Sequence, residues 1–112
     1  MIYLASPYSH PDKDVEHRRY VAVAAYAAVM FRANPQVLRI SPIAYWHPIA
    51  THHKLPTDAD AYKEFNQKLL RHCLEMEILA LPGWEESAGV LLERQWAEEL
   101  GIGVSIVKAQ KV

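Results

Sequence analysis

A chain of 112 residues, 51% hydrophobic and 22% charged, is long enough to bury one core and too short for two. Its net charge of −1 excludes a polybasic surface for a DNA or RNA backbone, although a small anion held by backbone amides stays open. Cys73 is the single cysteine, so neither a disulfide framework nor a cysteine zinc site can form within one chain, and a reducing, cytoplasmic setting is expected.

In chain order, Ile2-Tyr3-Leu4-Ala5 is a short apolar run ended by Ser6-Pro7-Tyr8-Ser9, the pattern of a buried strand and a turn. A helix is predicted from about Asp14 to Phe31, with Val21, Ala24, Ala28 and Phe31 inward and His17, Arg18 and Arg19 outward; Asn34-Pro35 ends it. Its apolar stretch, Val21 to Phe31, falls well short of the roughly 20 residues of a membrane span, and no secretory leader is visible, so no membrane contact is expected. Val37 to Ser41 reads as a second strand. Ile43 to Thr57 has no periodicity, carries His47, His52 and His53, and is predicted to be a long functional or mobile loop. A helix over Asp58 to Cys73, a strand over Glu77 to Leu81, a helix from Ser87 to Leu100 and a strand over Val104 to Val107 complete the pass. No repeat, low-complexity tract or linker interrupts it, so residues 1–112 are expected to form a single domain.

Alternating strands and helices predict an α/β three-layer sandwich with a four- to five-stranded parallel sheet. In such sheets ligands bind outside the carboxyl ends of the strands, where strand order reverses. The loops Ser6 to His10, Ser41 to Leu55 and Pro82 to Ser87 would meet there.

Glu93 breaks the pattern of its own helix. At about 100° per residue, Gly89, Val90, Trp96, Ala97 and Leu100 fall within roughly 60° of it, which places a carboxylate near the middle of the apolar stripe. A buried carboxylate is costly unless it is paired or used. A structural glutamate partnered by an arginine or a tyrosine would give the same pattern. Ser87 is a good N-cap, and Gly89 lets a ligand approach the first turn, where unsatisfied amides and the helix dipole favour an anion. Plain capping accounts for Ser87 alone; with Glu93 on the same helix, a cradle and a reactive carboxylate could hold two ends of one small molecule.

The run Gly83-Trp84-Glu85-Glu86-Ser87-Ala88-Gly89, followed by Glu93 and Ala97 and preceded by a strand, resembles the signature of nucleoside 2-deoxyribosyltransferase-like proteins. It is most similar to a small branch with a GWxxSxG loop, related to 2′-deoxynucleoside 5′-monophosphate N-glycosidases. Ile2 to Ser9 resembles the same family's first strand and loop, and only Ile43 to Thr57 is unmatched. The resemblance implies a flavodoxin-like, deoxyribosyltransferase-like fold, with Glu93 as the nucleophile at the anomeric carbon and Tyr3 positioning it. It also implies that Ser87 and Gly89 hold a 5′-phosphate, with Ala88 between them, beside a first loop of Ser6, Pro7, Tyr8 and Ser9. Asn66 aligns with an aspartate that contacts the sugar or protonates the leaving base, and Leu74 with a second aspartate.

Asn cannot act as a general acid, so one of the histidines, His47 among them, or Tyr8 is expected to contact the base or supply the proton. The spacing of His47, His52 and His53 matches no common metal pattern, and neither metal nor cofactor is expected. Trp84 is expected to wall the pocket, while His10 and His17 face solvent. The expected function is cleavage or transfer at the N-glycosidic bond of a nucleoside 5′-monophosphate by a homodimer or larger assembly. The alternative is a nucleotide-binding or sensing module that keeps the cradle without the chemistry.

Overall fold

The computed structural model describes residues 1–109. β1 (Ile2–Ala5) runs down the middle of a four-stranded, all-parallel sheet in the order β2-β1-β3-β4. β2 is Arg39–Ile40, β3 is Glu75–Leu79 and β4 is Gly103–Val107. Ile2 pairs with Arg39 on one side and Glu75 on the other, while Glu75 pairs with Gly103. Chain order departs from β1 in both directions, so the reversal of strand order lies between β1 and β3. This is the flavodoxin-like order, at the lower end of the expected strand number.

Alternation along β1 assigns the two faces. Tyr3 and Ala5 join Leu70, Cys73, Met76, Ile78, Val90, Trp96 and Ala97 in one buried cluster. That cluster is capped by α3 (Ala59–Leu70) and α4 (Ala88–Glu99). Leu4 points the other way, toward Val23, Tyr26, Leu79 and Leu81. There α1 (Lys13–Ala33) and α2 (Pro42–His53) close the sandwich. On that face Arg39 reaches across β1 to Glu77 with two hydrogen bonds of 2.8 and 3.2 Å, and the Tyr26 hydroxyl donates to the same carboxylate.

Three expectations need correction. Much of the predicted loop from Ile43 to Thr57 is the helix α2. Ser41 caps it by accepting from the Ala44 amide, Pro42 opens it, and Lys54 ends it with φ 55°. Proline at the first turn is preorganised for a helix. Pro48 inside it removes one amide donor, and its buried side, with Pro42, His47 and Ala50, lacks the long aliphatic residues that reveal periodicity.

In α1 the buried residues are Glu16, Val23 and Tyr26, whereas Val21 and Phe31 of the predicted stripe are exposed. An alanine-rich helix has no dominant apolar stripe, and the sheet selects the face that carries the larger Tyr26. In α4 the stripe holds for Val90, Glu93, Trp96 and Ala97, but Leu100 leaves the helix as its C-cap and is exposed.

Candidate functional site

A cavity of about 360 Å³ opens where the carboxyl ends of β1, β2 and β3 meet. Three connections form its rim, as the topology requires. Ser6, Tyr8 and Ser9 follow β1, Pro42, Ile43 and Trp46 begin α2, and Gly83 and Glu86 to Gly89 lead into α4. Residues of α3 close the remaining side.

Glu93 lies in the wall of this cavity and is otherwise buried. α4 projects it inward because Val90, Trp96 and Ala97, on the same side, anchor the helix to the core. The Tyr3 hydroxyl, fully buried on β1, donates a hydrogen bond to Glu93 Oε2. Burial penalises the charged form and pushes the Glu93 carboxyl up to about 7, with the Tyr3 hydrogen bond pulling the other way. The Tyr3 phenol is raised far above the ordinary range by burial and then by the neighbouring carboxylate, so it stays a donor at any physiological pH. Near neutrality Glu93 is therefore shared between its two protonation states.

The amino end of α4 meets the same cavity. Ser87 Oγ accepts from the Val90 amide at 3.3 Å, so the hydroxyl is an engaged cap, not a free one; its proton can still be donated. A Cβ on Gly89 would lie 3.8 Å from the Ala59 Cβ, so the start of α3 faces the start of α4 across a narrow gap. First-turn residues of both helices line the cavity, and helix amino ends favour an anion.

Three buried polar atoms lack a hydrogen-bond partner among the described residues: Ser6 Oγ, Trp46 Nε1 and Asn66 Oδ1. All three belong to residues that line this cavity. Buried polar groups are normally satisfied. Clustered here and shielded from solvent, they are unsatisfied groups gathered around one site.

Ser6, Tyr8, Ser9, Asn66, Ser87, Ala88, Gly89 and Glu93 thus come together as one surface. Tyr3 stands behind Glu93 as its hydrogen-bond partner. Three expected residues take other places. Pro7 is fully buried and does not line the cavity. Trp84 does not wall the cavity: it packs against the cluster under α3 and α4, and Trp46 supplies the indole instead. His47 lies one layer back, with Nδ1 2.6 Å from the Tyr8 hydroxyl. His52 and His53 are exposed at the end of α2, and among the described residues no group of three or more His, Cys, Asp or Glu side chains is placed to hold a metal ion. Leu74 is 80% exposed at the opposite ends of the strands, beside Met1, and takes no part in the cavity.

Sequence reasoning missed Trp46, Tyr62, Lys63 and Arg19, which also line the cavity. Trp46 was obscured by the unrecognised α2. Arg19, read as pointing outward, turns back to donate to the carbonyls of Tyr8, Ser9 and Pro82, tying the loops after β1 and β3 together. No periodicity could have indicated this, because the acceptors are backbone atoms of distant loops.

Fold and site define a parallel α/β protein with a buried, tyrosine-bonded carboxylate beside a helix amino end at the sheet's switch point. The chain belongs to the family described as a domain of unknown function, DUF1937, whose model matches residues 1–109. Comparison with curated proteins gives no match.

Proposed function

We propose that this protein cleaves the N-glycosidic bond of a nucleoside 5′-monophosphate, most simply a 2′-deoxyribonucleotide, with Glu93 as nucleophile. The observation that carries the reading is that one helix supplies both ends of the site. Ser87 and Gly89 precede Glu93 by six and four residues, about 9 and 6 Å along the axis at 1.5 Å per residue. A pentose 5-phosphate spans that interval with its phosphate at the amides and its anomeric carbon at the carboxylate.

The chemistry suits the group. Glycosidic cleavage passes through an oxocarbenium-like state that an ionised carboxylate stabilises and then captures. Tyr3 holds one Glu93 oxygen and leaves the other for attack. Trp46 and Tyr62, with ring centroids 5.0 Å apart, offer aromatic surface to the base. Water as acceptor makes the enzyme a hydrolase and a second base makes it a transferase. The similarity of Gly83 to Gly89 and Glu93 to deoxyribosyltransferase-like proteins supports the same assignment. Assembly into a homodimer or larger belongs to this proposal as well.

The second reading is a nucleotide-binding or sensing module on the same fold, favoured by Asn66, an amide where an acid would protonate the base. Incubation with the four common 2′-deoxynucleoside 5′-monophosphates, followed by chromatography, separates the two. Free base from the wild type, lost in Glu93→Gln while binding persists, supports catalysis. Binding with no base released by either protein supports the module. If none of the nucleotides shifts the melting temperature at millimolar concentration, both readings fail.

A further inference from the structure

Behind the cavity wall, Tyr8, His47 and His17 form an unbroken chain of proton-carrying groups. The Tyr8 hydroxyl lies 2.6 Å from His47 Nδ1, and His47 Nε2 lies 3.3 Å from His17 Nδ1. Tyr8 lines the cavity, His47 is 8% exposed, and His17 is open to solvent. The Tyr20 ring stacks on the His47 imidazole at 4.4 Å and 22°, fixing the plane in which its two nitrogens point. Three elements contribute: the loop after β1, α2 and α1. Both nitrogens of a buried imidazole are thus engaged end to end between a cavity and bulk water.

We propose that Tyr8 is the acid that protonates the leaving base, and that His47 and His17 are the relay that recharges it from solvent. The inference rests on the glycosidase reading and deepens it. Asn66 has no proton of suitable acidity to give, and Tyr62 is committed to the Pro56 carbonyl. In the acid-ready arrangement His17 Nδ1–H donates to His47 Nε2, His47 Nδ1–H donates to the Tyr8 oxygen, and the Tyr8 proton faces the cavity.

As the Glu93 oxygen bonds to the anomeric carbon, the C–N bond breaks and its electron pair goes to the base nitrogen. That nitrogen takes the Tyr8 proton. His47 replaces it from Nδ1, takes another at Nε2 from His17, and His17 recovers one from water. Hydrolysis of the glycosyl-enzyme runs the chain in reverse: the attacking water gives a proton to Tyr8, and the relay exports it. The second half leaves the free sugar phosphate and regenerates the Glu93 carboxylate.

The surroundings fit a relay better than a static contact. Burial, and then the charge of His17, push the His47 imidazole down, so it rests neutral and passes protons instead of storing them. Glu16, buried nearby and bonded to Lys13 and the His10 amide, opposes that shift. Tyr8 is pushed up to about 12 by burial and then by Glu16 and Tyr62, so its phenolate is costly and a neighbour that returns the proton relieves it.

Two probes test the relay, each read as leaving-group release in the first turnover, before the glycosyl-enzyme is hydrolysed: the common 2′-deoxynucleoside 5′-monophosphates, whose bases need protonation, and 4-nitrophenyl 2-deoxyribofuranoside 5-phosphate, whose leaving group does not. In Tyr8→Phe, base release is expected to fall about a hundredfold or more, in line with loss of a general acid, and nitrophenol release by no more than a few-fold. His17→Gln, a change at an exposed position that leaves the core intact, is expected to lower base release several-fold, spare nitrophenol release and alter the pH profile. His47→Gln should show the same split more strongly. Equal losses on both probes, or none, would overturn the relay while leaving the glycosidase reading standing. A wild type inactive on both probes overturns that reading and the relay with it.

Discussion

The Tyr3 hydroxyl on the central strand and the Glu93 carboxylate on the last helix meet in a hydrogen bond across 90 positions of sequence. It is the contact that sets the charge state of the cavity wall. Burial favours a neutral Glu93, the tyrosine favours an ionised one, and the balance sits near neutral pH.

That balance ties activity to pH. If ionised Glu93 is the nucleophile, kcat/KM for base release rises with pH through about 7. Tyr3→Phe removes the group that lowers the carboxyl, so the rising limb moves to higher pH. A pH–rate profile of the two proteins reads the displacement; identical limbs would detach Glu93 from the rate.

The same group makes stability depend on pH. Its folded value of about 7 lies above the unfolded 4.5, so the folded protein holds the proton more tightly. The resulting stabilisation is complete below pH 4.5 and lost as pH rises through 7, about 3 kcal/mol in all. His47, shifted downward, works in the opposite sense and loses stability as pH falls through the ordinary histidine range. Glu93→Gln leaves that contribution in place and removes the first. The variant should therefore be the more stable protein at pH 8 and the two should converge near pH 4.5, as measured by urea denaturation.

The anion cradle can be separated from the fold by two substitutions. Ser87→Ala deletes the cap on Val90 and should cost about 1 kcal/mol of stability as well as affinity. Gly89→Ala adds a methyl at ordinary contact distance, 3.8 Å from Ala59 Cβ and 3.9 Å from Ser87 Oγ, so the fold accepts it. The methyl stands where a phosphate would approach the amides. Calorimetric titration with a deoxynucleoside monophosphate should find weaker binding at an undiminished melting temperature.

Away from the cavity, Arg39 and Glu77 hold the sheet across β1. Each side chain is 13% exposed, so truncating one leaves the other charge largely desolvated. Arg39→Met and Glu77→Gln should each cost about 2 to 3 kcal/mol, below the full penalty of a wholly buried pair. The double variant should cost less than their sum, and a chemical-denaturation cycle measures the coupling.

Much of the site is legible in the amino-acid sequence. Glu93 and Ser87 can be placed because a helix repeats every 3.6 residues, so local spacing alone assigns a side and an end. Helix α2 is not legible, since two prolines and a run of aromatics and histidines hide a helix whose partner surface is the floor of the cavity. Trp46 and His47 are lost to view with it. Arg19 is assigned to solvent by the same periodicity that succeeds for Glu93, because its acceptors are carbonyls of loops brought near only by the sheet.

The amino-acid sequence by itself determined the alternation of strands and helices, hence a parallel sheet, and set a carboxylate on an apolar helix face behind a capped amino end. These are consequences of short-range periodicity and turn chemistry. Only the tertiary structure decided how deeply the Tyr3–Glu93 bond is buried, that Ser6, Trp46 and Asn66 leave polar atoms unpaired around one cavity, and that Tyr8, His47 and His17 connect it to solvent. Those contacts join residues 30 to 90 positions apart, and strand order and helix packing set such distances, not the local sequence.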